Sequence, residues 1–238
     1  MEPWVIVASR LRLARLWAAE EIVLAADELK GVLLPYPSEL ERHVKGFVKG
    51  LTTWDDLVSA VRDSGLPYVD AWAWTEEPLL RRLRSLHASG FKLSIECYGP
   101  PIAVEAEASW ELARQILRVR VTGKVDLEAW RKLVGKREPP AKAGYATISL
   151  QPIEIARVTA WEYPPPPTDS LSSRNLSEEQ VMRMVNYIFN FVVTSRNPDE
   201  AYIRWLEELK YESSKINKLK SIALMLNIIE DRQQQETS

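Results

Sequence analysis

Residues 4–35 decide the fold class, and they read WVIVASRLRLARLWAAEEIVLAADELKGVLLP. The continuous, β-branched run at residues 4–8 is typical of a buried strand. Residues 11–29 place leucine, isoleucine and tryptophan among arginine and glutamate, as an amphipathic helix does, and residues 31–35 form a second short apolar run. This order predicts two parallel strands joined by a crossover helix.

The same alternation continues further along the chain. We predict one helix capped by Ser38 and another capped by Thr53. Residues 68–74 then predict a third strand, residues 75–78 a helix start rich in carboxylates, and residues 91–97 a fourth strand. The pattern predicts a three-layer α/β fold, with a largely parallel sheet and helices on both of its faces.

The second half of the chain predicts more helix and one marked interruption. Helices are predicted over residues 102–121 and 125–134, and strand-like sequence over residues 144–161. Ser177 and Asn197 stand where two further helices would be capped. Because four prolines follow Tyr163, we predict three parts: an α/β domain over residues 1–163, a linker over residues 164–176 and a helical hairpin extension over residues 177–232.

Composition excludes several functional classes. With 31 Lys+Arg against 33 Asp+Glu, the net charge of −2 gives no average field that would drive the chain onto nucleic acid or an anionic membrane. One cysteine and two histidines exclude a disulfide framework and leave little material for a metal centre. The few asparagines, glutamines and cysteines agree with a thermophilic source.

Targeting signals and cofactor motifs are also missing from the sequence. No basic segment followed by an apolar run opens the chain, and no apolar run reaches membrane-spanning length, so we expect a soluble, cytoplasmic protein. Neither a dinucleotide-binding glycine pattern nor a P-loop follows the first strand. We therefore expect no cofactor and no metal.

The candidate ligand-binding residues lie near predicted strand ends. Glu96 and Cys97 end a strand, and ligands of open α/β sheets bind outside the carboxyl ends of strands. With Glu28 and Asp70 nearby, Glu96 could act as a general base or hold a divalent metal; alternatively, Glu96 caps a turn and Cys97 is a small buried hydrophobe. Arg10 could meet an anionic ligand at a helix start, as could Arg12, or both could form salt bridges in solvent.

Two further segments could bind a macromolecular partner. The segment 114–142 is locally basic and contains aromatic residues, which is typical of a nucleic-acid groove, although acidic residues dilute its charge. Its candidate contacts are Arg114, Arg118, Arg131 and Lys132. The last predicted helix carries an apolar stripe that either packs on its own domain or docks another subunit. The residues of this stripe are Leu209, Ile216, Leu219, Ile222 and Leu226.

Four segments between residues 4 and 101 follow one another in a recognisable pattern: a strand that reaches Pro35, then PSELE at 37–41, WTEEPLLRRL at 74–83 and GFKLSIEC at 90–97. This pattern resembles the core of TraB-like and erythromycin-esterase-like proteins, in which a strand also ends in an acidic residue, here Glu96. Metal-hydrolase members of that group carry a Gly-x-x-His element after the first strand, where residues 8–11 read ASRL. The resemblance therefore implies a degenerate member, to which the metal chemistry does not carry over.

These observations predict a non-catalytic interaction or assembly protein. Its partner would be another protein or a second copy of the chain, bound through the C-terminal helices. The alternatives are a metal-dependent hydrolase that uses Glu96, and a nucleic-acid-binding protein that uses the segment 114–142.

Overall fold

Five strands form one sheet at the centre of the molecule, and all of them run parallel. The computed structural model describes residues 2–133, 138–172 and 176–230, without the side chains of residues 170–172. The strands are β1 (Trp4–Val7), β2 (Gly31–Pro37), β3 (Ser94–Gly99), β4 (Tyr145–Ser149) and β5 (Arg157–Ala160). Their spatial order is β3-β2-β4-β1-β5, so that β3 and β5 are the edges.

Helices surround this sheet throughout the described ranges. They are α1 (Arg12–Leu24), α2 (Glu41–Val48), α3 (Trp54–Asp63), α4 (Val69–Ala88), α5 (Ile102–Thr122), α6 (Leu127–Leu133), α7 (Glu178–Tyr187), α8 (Pro198–Glu208) and α9 (Ser213–Met225). Three predicted caps are confirmed: Thr53 and Ser177 form capping boxes, and the side chain of Asn197 accepts a hydrogen bond from the backbone of Glu200. The predicted cap at Ser38 is wrong, because Ser38 lies inside a short 3-10 turn before α2 and its hydroxyl donates a hydrogen bond to Glu39 at 3.2 Å. No helix among the described residues is long and apolar enough to cross a membrane.

Alternate residues of the strands cover the two faces of the sheet, as the pleat requires. Ile6, Leu34 and Ile148 belong to the main core, which they share with buried residues of α1, α2 and α4. Val5 and Leu33, on the other face, are also buried. The prediction of a three-layer α/β fold with a parallel sheet and a helical C-terminal region is confirmed.

The predicted strand at residues 68–74 is wrong, because α4 begins at Val69 and continues through Pro78. Aromatic and β-branched residues favour a strand, but the buried side chains of this segment recur at helical intervals. A proline inside a helix leaves the carbonyl four residues earlier without its N–H donor. Here that carbonyl belongs to Trp74, and Nη1 of Arg12 donates a hydrogen bond to it at 2.8 Å.

The C-terminal helices share the main core with the sheet. Tyr202 and Leu206 of α8 and Leu219 of α9 are buried in it, and the hydroxyl of Tyr202 donates a hydrogen bond to the carbonyl of Pro164. Residues 173–175 of the predicted linker and residues 231–232 of the predicted hairpin lie outside the described residues. The described part of the C-terminal region therefore packs directly on the α/β layers.

A second, smaller core holds α5 against α6 and α7. Val119 of α5, Trp130 of α6 and Val181 of α7 are buried in it. At its other end, α5 begins directly after β3, and the backbone N–H of Ile102 donates a hydrogen bond to Glu39 at 3.0 Å. This anchoring fixes which side of α5 faces inward and which side faces solvent.

Candidate functional site

Two of the predicted site residues, Glu96 and Cys97, line a cleft beside the edge strand β3. The cleft has a volume of about 510 Å³. We call it the β3 cleft, and its lining residues are Leu33, Glu41, Lys45, Ser94, Glu96, Cys97, Tyr98, Pro140 and Lys142. Its walls therefore contain two acidic and two basic side chains.

Each of these charged side chains has a partner of opposite charge. Nζ of Lys142 lies 2.5 Å from Oε1 of Glu96 and 3.9 Å from the ring centre of Tyr145. The hydrogen bond to Glu96 is the main cause that raises the pKa of Lys142. On the other wall, Nζ of Lys45 lies 2.5 Å from Oε1 of Glu41. The charges of the β3 cleft are therefore neutralised within the chain.

Cys97 is buried in the wall of the cleft and is not activated for nucleophilic attack. Its backbone N–H donates a hydrogen bond to Oε2 of Glu41 at 2.9 Å. Burial, followed by the negative charge of Glu41, raises the pKa of the Cys97 thiol to about 12. Because the thiolate is the nucleophile and the metal ligand, the thiol at neutral pH is a small buried hydrophobe.

The acidic residues that the sequence predicted to approach Glu96 lie in different places. Asp70 is in the first turn of α4, with a side chain 93% exposed, and its Oδ1 lies 2.9 Å from Nη2 of Arg62. Glu28 is exposed in the turn that precedes the amino end of β2. Within the described ranges, no three His, Cys, Asp or Glu side chains come together in a group that could hold a metal ion.

Arg12, a predicted ligand-binding residue, is occupied by contacts inside the chain. Its Nη1 lies 2.9 Å from Oε2 of Glu77, and its guanidinium stacks 4.7 Å from the ring centre of Trp74. The start of α1, where an anionic ligand was predicted, receives the fully buried carboxylate of Asp199. This carboxylate accepts hydrogen bonds from the backbone N–H groups of Arg12 and Leu13, at 3.1 and 2.9 Å.

Arg10, the other predicted anion contact, is exposed beside Asp169. Asp169 comes from the turn Pro167–Ser172 and is buried at the carboxyl end of β1, where it interacts with the hydroxyl of Ser9. Burial raises the pKa of Asp169, although the Ser9 hydrogen bond and the charges of Arg10 and Arg15 act in the opposite direction. A carboxylate of the chain itself thus lies next to Arg10.

Sequence reasoning missed a buried polar network that joins α1, β2 and α4. Nε of Arg15 donates a hydrogen bond to Oε1 of Glu76 at 3.0 Å, and the hydroxyl of Tyr36 donates one to Oε2 at 2.7 Å. Nη1 of Arg15 also donates to the carbonyl of Ala8. The sequence pattern assigned neither Arg15 nor Glu76 to the core, so no local signal revealed this Arg15 network.

The predicted nucleic-acid contacts are paired with acidic or carbonyl groups. Arg114 lies 2.6 Å from Glu111, Arg118 lies 3.8 Å from Asp126, and Lys132 lies 2.8 Å from Glu128. Nη2 of Arg131 donates a hydrogen bond to the carbonyl of Leu176. Lys136 and Arg137, from the same basic segment, lie outside the described residues.

The predicted C-terminal interface residues fall into two groups. Ile216 and Leu219 are buried in the main core, and Ile222 is packed against it. Leu209, at the end of α8, and Leu226, at the end of α9, are exposed. Packing on the chain's own domain therefore accounts for the centre of this stripe.

Among the described residues, α5 is the helix with the most exposed large apolar side chains, which are Val104, Trp110, Leu117 and Val121. Trp110 is 74% exposed, Leu117 57% and Val121 83%, and all three point away from the second core. All nine tryptophans lie in described residues, and Trp110 alone among them is exposed. The residues of this surface, which we call the α5 seam, are Ala103, Ala106, Trp110, Ala113, Leu117 and Val121.

The sequence predicted α5 as a helix but did not identify its solvent-facing side. Leu112, Ile116 and Val119, on the side that packs inward, are as apolar as the seam. Periodicity alone therefore does not distinguish the two sides, and only the position of α6 and α7 does.

No family model, curated protein or solved structure matches this chain. The resemblance to the TraB-like and erythromycin-esterase-like group therefore stays a prediction.

Proposed function

We propose that this chain is a non-catalytic assembly protein that associates with a second copy of itself through the α5 seam. The observation that carries the proposal is the exposure of Trp110, Leu117 and Val121 along one side of one helix. Contiguous apolar surface on a folded protein marks a contact site, because its removal from water is favourable. Tryptophan is also among the residues that contribute most to protein interfaces.

The charges beside the seam support a second copy as the partner. On the exposed flank of α5, Glu107 precedes residue 112, and Arg114 and Arg118 follow it. A surface that is acidic at one end and basic at the other is complementary to itself when one copy is turned around.

The two alternative functions have weaker support in the described residues. Glu96 is held by Lys142, and the thiol of Cys97 is protonated at neutral pH, so the β3 cleft presents no activated group for a hydrolase. Arg114, Arg118 and Lys132 have acidic neighbours, which reduces the attraction that a nucleic acid would feel.

Light scattering on seam variants tests the proposal. We expect Leu117→Glu and Trp110→Glu to shift the chain from dimer to monomer, because each places a charge in the contact. Leu51→Glu is the matched control, since Leu51 is 76% exposed and belongs to the turn after α2 instead of α5. It should leave the dimer intact. An unchanged dimer in both seam variants would contradict the proposal.

A further inference from the structure

From residue 103 to residue 117, the spacing of the α5 seam is that of a coiled-coil contact, and Val121 lies at the e position that follows. Ala103, Ala106, Trp110, Ala113 and Leu117 follow one another at intervals of three, four, three and four residues. These are the intervals of the a and d positions of a heptad, which meet a partner helix. The opposite positions of the helix include Gln115, which is buried toward α6 and α7. The helix thus packs inward on one side and presents a heptad seam on the other.

Side-chain size along the seam favours one orientation of the partner helix. In an antiparallel pair, an a position of one helix faces a d position of the other. With the two-fold axis between residues 111 and 112, Trp110 faces Ala113 of the second copy, and Leu117 faces Ala106 of the second copy. Each large side chain then meets a small one, as close packing requires. A parallel pair would place Trp110 against Trp110.

The charges beside the seam favour the same orientation. Glu107, Arg114 and Arg118 are exposed on the same flank. In the antiparallel pair, Glu107 of one copy lies between Arg114 and Arg118 of the other, and symmetry makes this contact twice. In a parallel pair, Glu107 would instead face Ile102 of the other copy, which carries no charge. Within one chain, Arg114 is paired with Glu111 and Arg118 with Asp126. Because these pairs lie at the surface and contribute little energy, both arginines can also contact Glu107 of a second copy.

We infer that two copies pair through antiparallel α5 helices, with Trp110 on Ala113 and Glu107 between Arg114 and Arg118 across a two-fold axis. The inference rests on the proposed function, because it specifies the geometry of that self-association. An isologous contact of this kind uses the same surface on both copies, so the assembly closes at two subunits.

Cysteine cross-linking tests the orientation. In the antiparallel pair, residue 106 of one copy faces residue 117 of the other, whereas two residues 117 lie about 16 Å apart along the helix axis. The double variant Ala106→Cys/Leu117→Cys should therefore form interchain disulfides under mild oxidation, and each single variant should not. The wild type is the control for Cys97, which is buried.

The cross-linking result and the oligomeric state together distinguish an error in the antiparallel pairing from an error in the proposed self-association. Cross-linking of either single variant, or no cross-linking of the double variant while the wild type stays dimeric, would overturn the antiparallel pairing and leave self-association in place. A monomeric wild type would overturn both.

Charge reversal provides a second test that does not depend on cysteine chemistry. Glu107→Lys alone and Arg118→Glu alone should each raise the dissociation constant of the dimer about five- to ten-fold, measured by sedimentation. The combination Glu107→Lys/Arg118→Glu should recover most of the wild-type affinity, because opposite charges face each other again. Additive losses in the combined variant would contradict the antiparallel pairing.

Discussion

The charged side chains around the sheet and the apolar side chains of the α5 seam differ in what surrounds them. Arg15, Glu76 and Tyr36 satisfy one another in the core, and Glu96 has Lys142 beside it. The seam, in contrast, exposes Trp110 to solvent. These polar groups are therefore paired within one chain, whereas the exposed side chains of the seam would be removed from water only by an external partner. This difference supports the proposed assembly role.

The largest effect on stability should come from the Arg15 network. Glu76→Ala should lower the free energy of unfolding by about 3–5 kcal/mol, because it leaves the guanidinium of Arg15 buried without its counter-charge. The matched control is Glu20→Ala, which breaks an exposed pair with Arg82 of the same 3.0 Å length and should cost at most about 1 kcal/mol. Urea denaturation measures both.

Glu76→Ala also separates the stability of the fold from self-association. At urea concentrations where Glu76→Ala is still folded, this variant should remain a dimer. Trp110→Glu should be a monomer, and the free energy of unfolding of that monomer should equal the value for the wild-type monomer. Equal losses of unfolding free energy in Glu76→Ala and Glu20→Ala would show that the buried pair of Arg15 and Glu76 contributes no more to stability than an exposed pair.

A smaller, pH-dependent effect should come from Asp169. Its pKa is raised above the ordinary 3.8 in the folded state, mainly by burial. A carboxyl group with a raised pKa holds its proton more tightly in the folded protein than in the unfolded one. Its contribution to stability is therefore complete below pH 3.8 and is lost as the pH rises through the folded pKa.

The stability of the wild type relative to Asp169→Asn should accordingly fall as the pH rises from about 4 to about 7. Paired urea denaturation curves at several pH values measure this difference. A relative stability that increases with pH would mean that Arg10 and Arg15 outweigh burial and depress the pKa of Asp169.

The smallest effect should come from the β3 cleft. Glu96→Gln should change the free energy of unfolding by at most about 1 kcal/mol, because its ion pair with Lys142 is partly exposed. Thermal melting with and without Mg²⁺ or Zn²⁺ should show no stabilisation that depends on Glu96. A divalent-ion stabilisation present in the wild type and lost in Glu96→Gln would favour the hydrolase alternative instead.

The sequence was most informative where local patterns decide structure. The apolar run at residues 4–8 and the capping residues Thr53 and Ser177 predicted β1, α3 and α7 because strand periodicity and capping act over a few residues. The segment 68–74 misled because its aromatic residues favour a strand. In the helix that forms instead, Arg12, more than sixty residues away, supplies the donor that Pro78 removes.

The β3 cleft and the α5 seam were harder to predict, because their properties also depend on residues that are distant in sequence. Glu96 and Cys97 do line a cleft, but the ammonium that neutralises Glu96 comes from Lys142, distant in sequence. The exposure of Trp110 depends on which side of α5 the helices α6 and α7 cover. Both properties arise from packing between distant segments, which the sequence pattern does not encode locally.

Sedimentation equilibrium of the wild type beside Trp110→Glu is the most direct test of self-association through the α5 seam. We expect the wild type to sediment at twice its chain mass of 27.2 kDa and to dissociate on dilution, and Trp110→Glu to sediment at the mass of one chain. A wild type that keeps the mass of one chain at every concentration would contradict self-association.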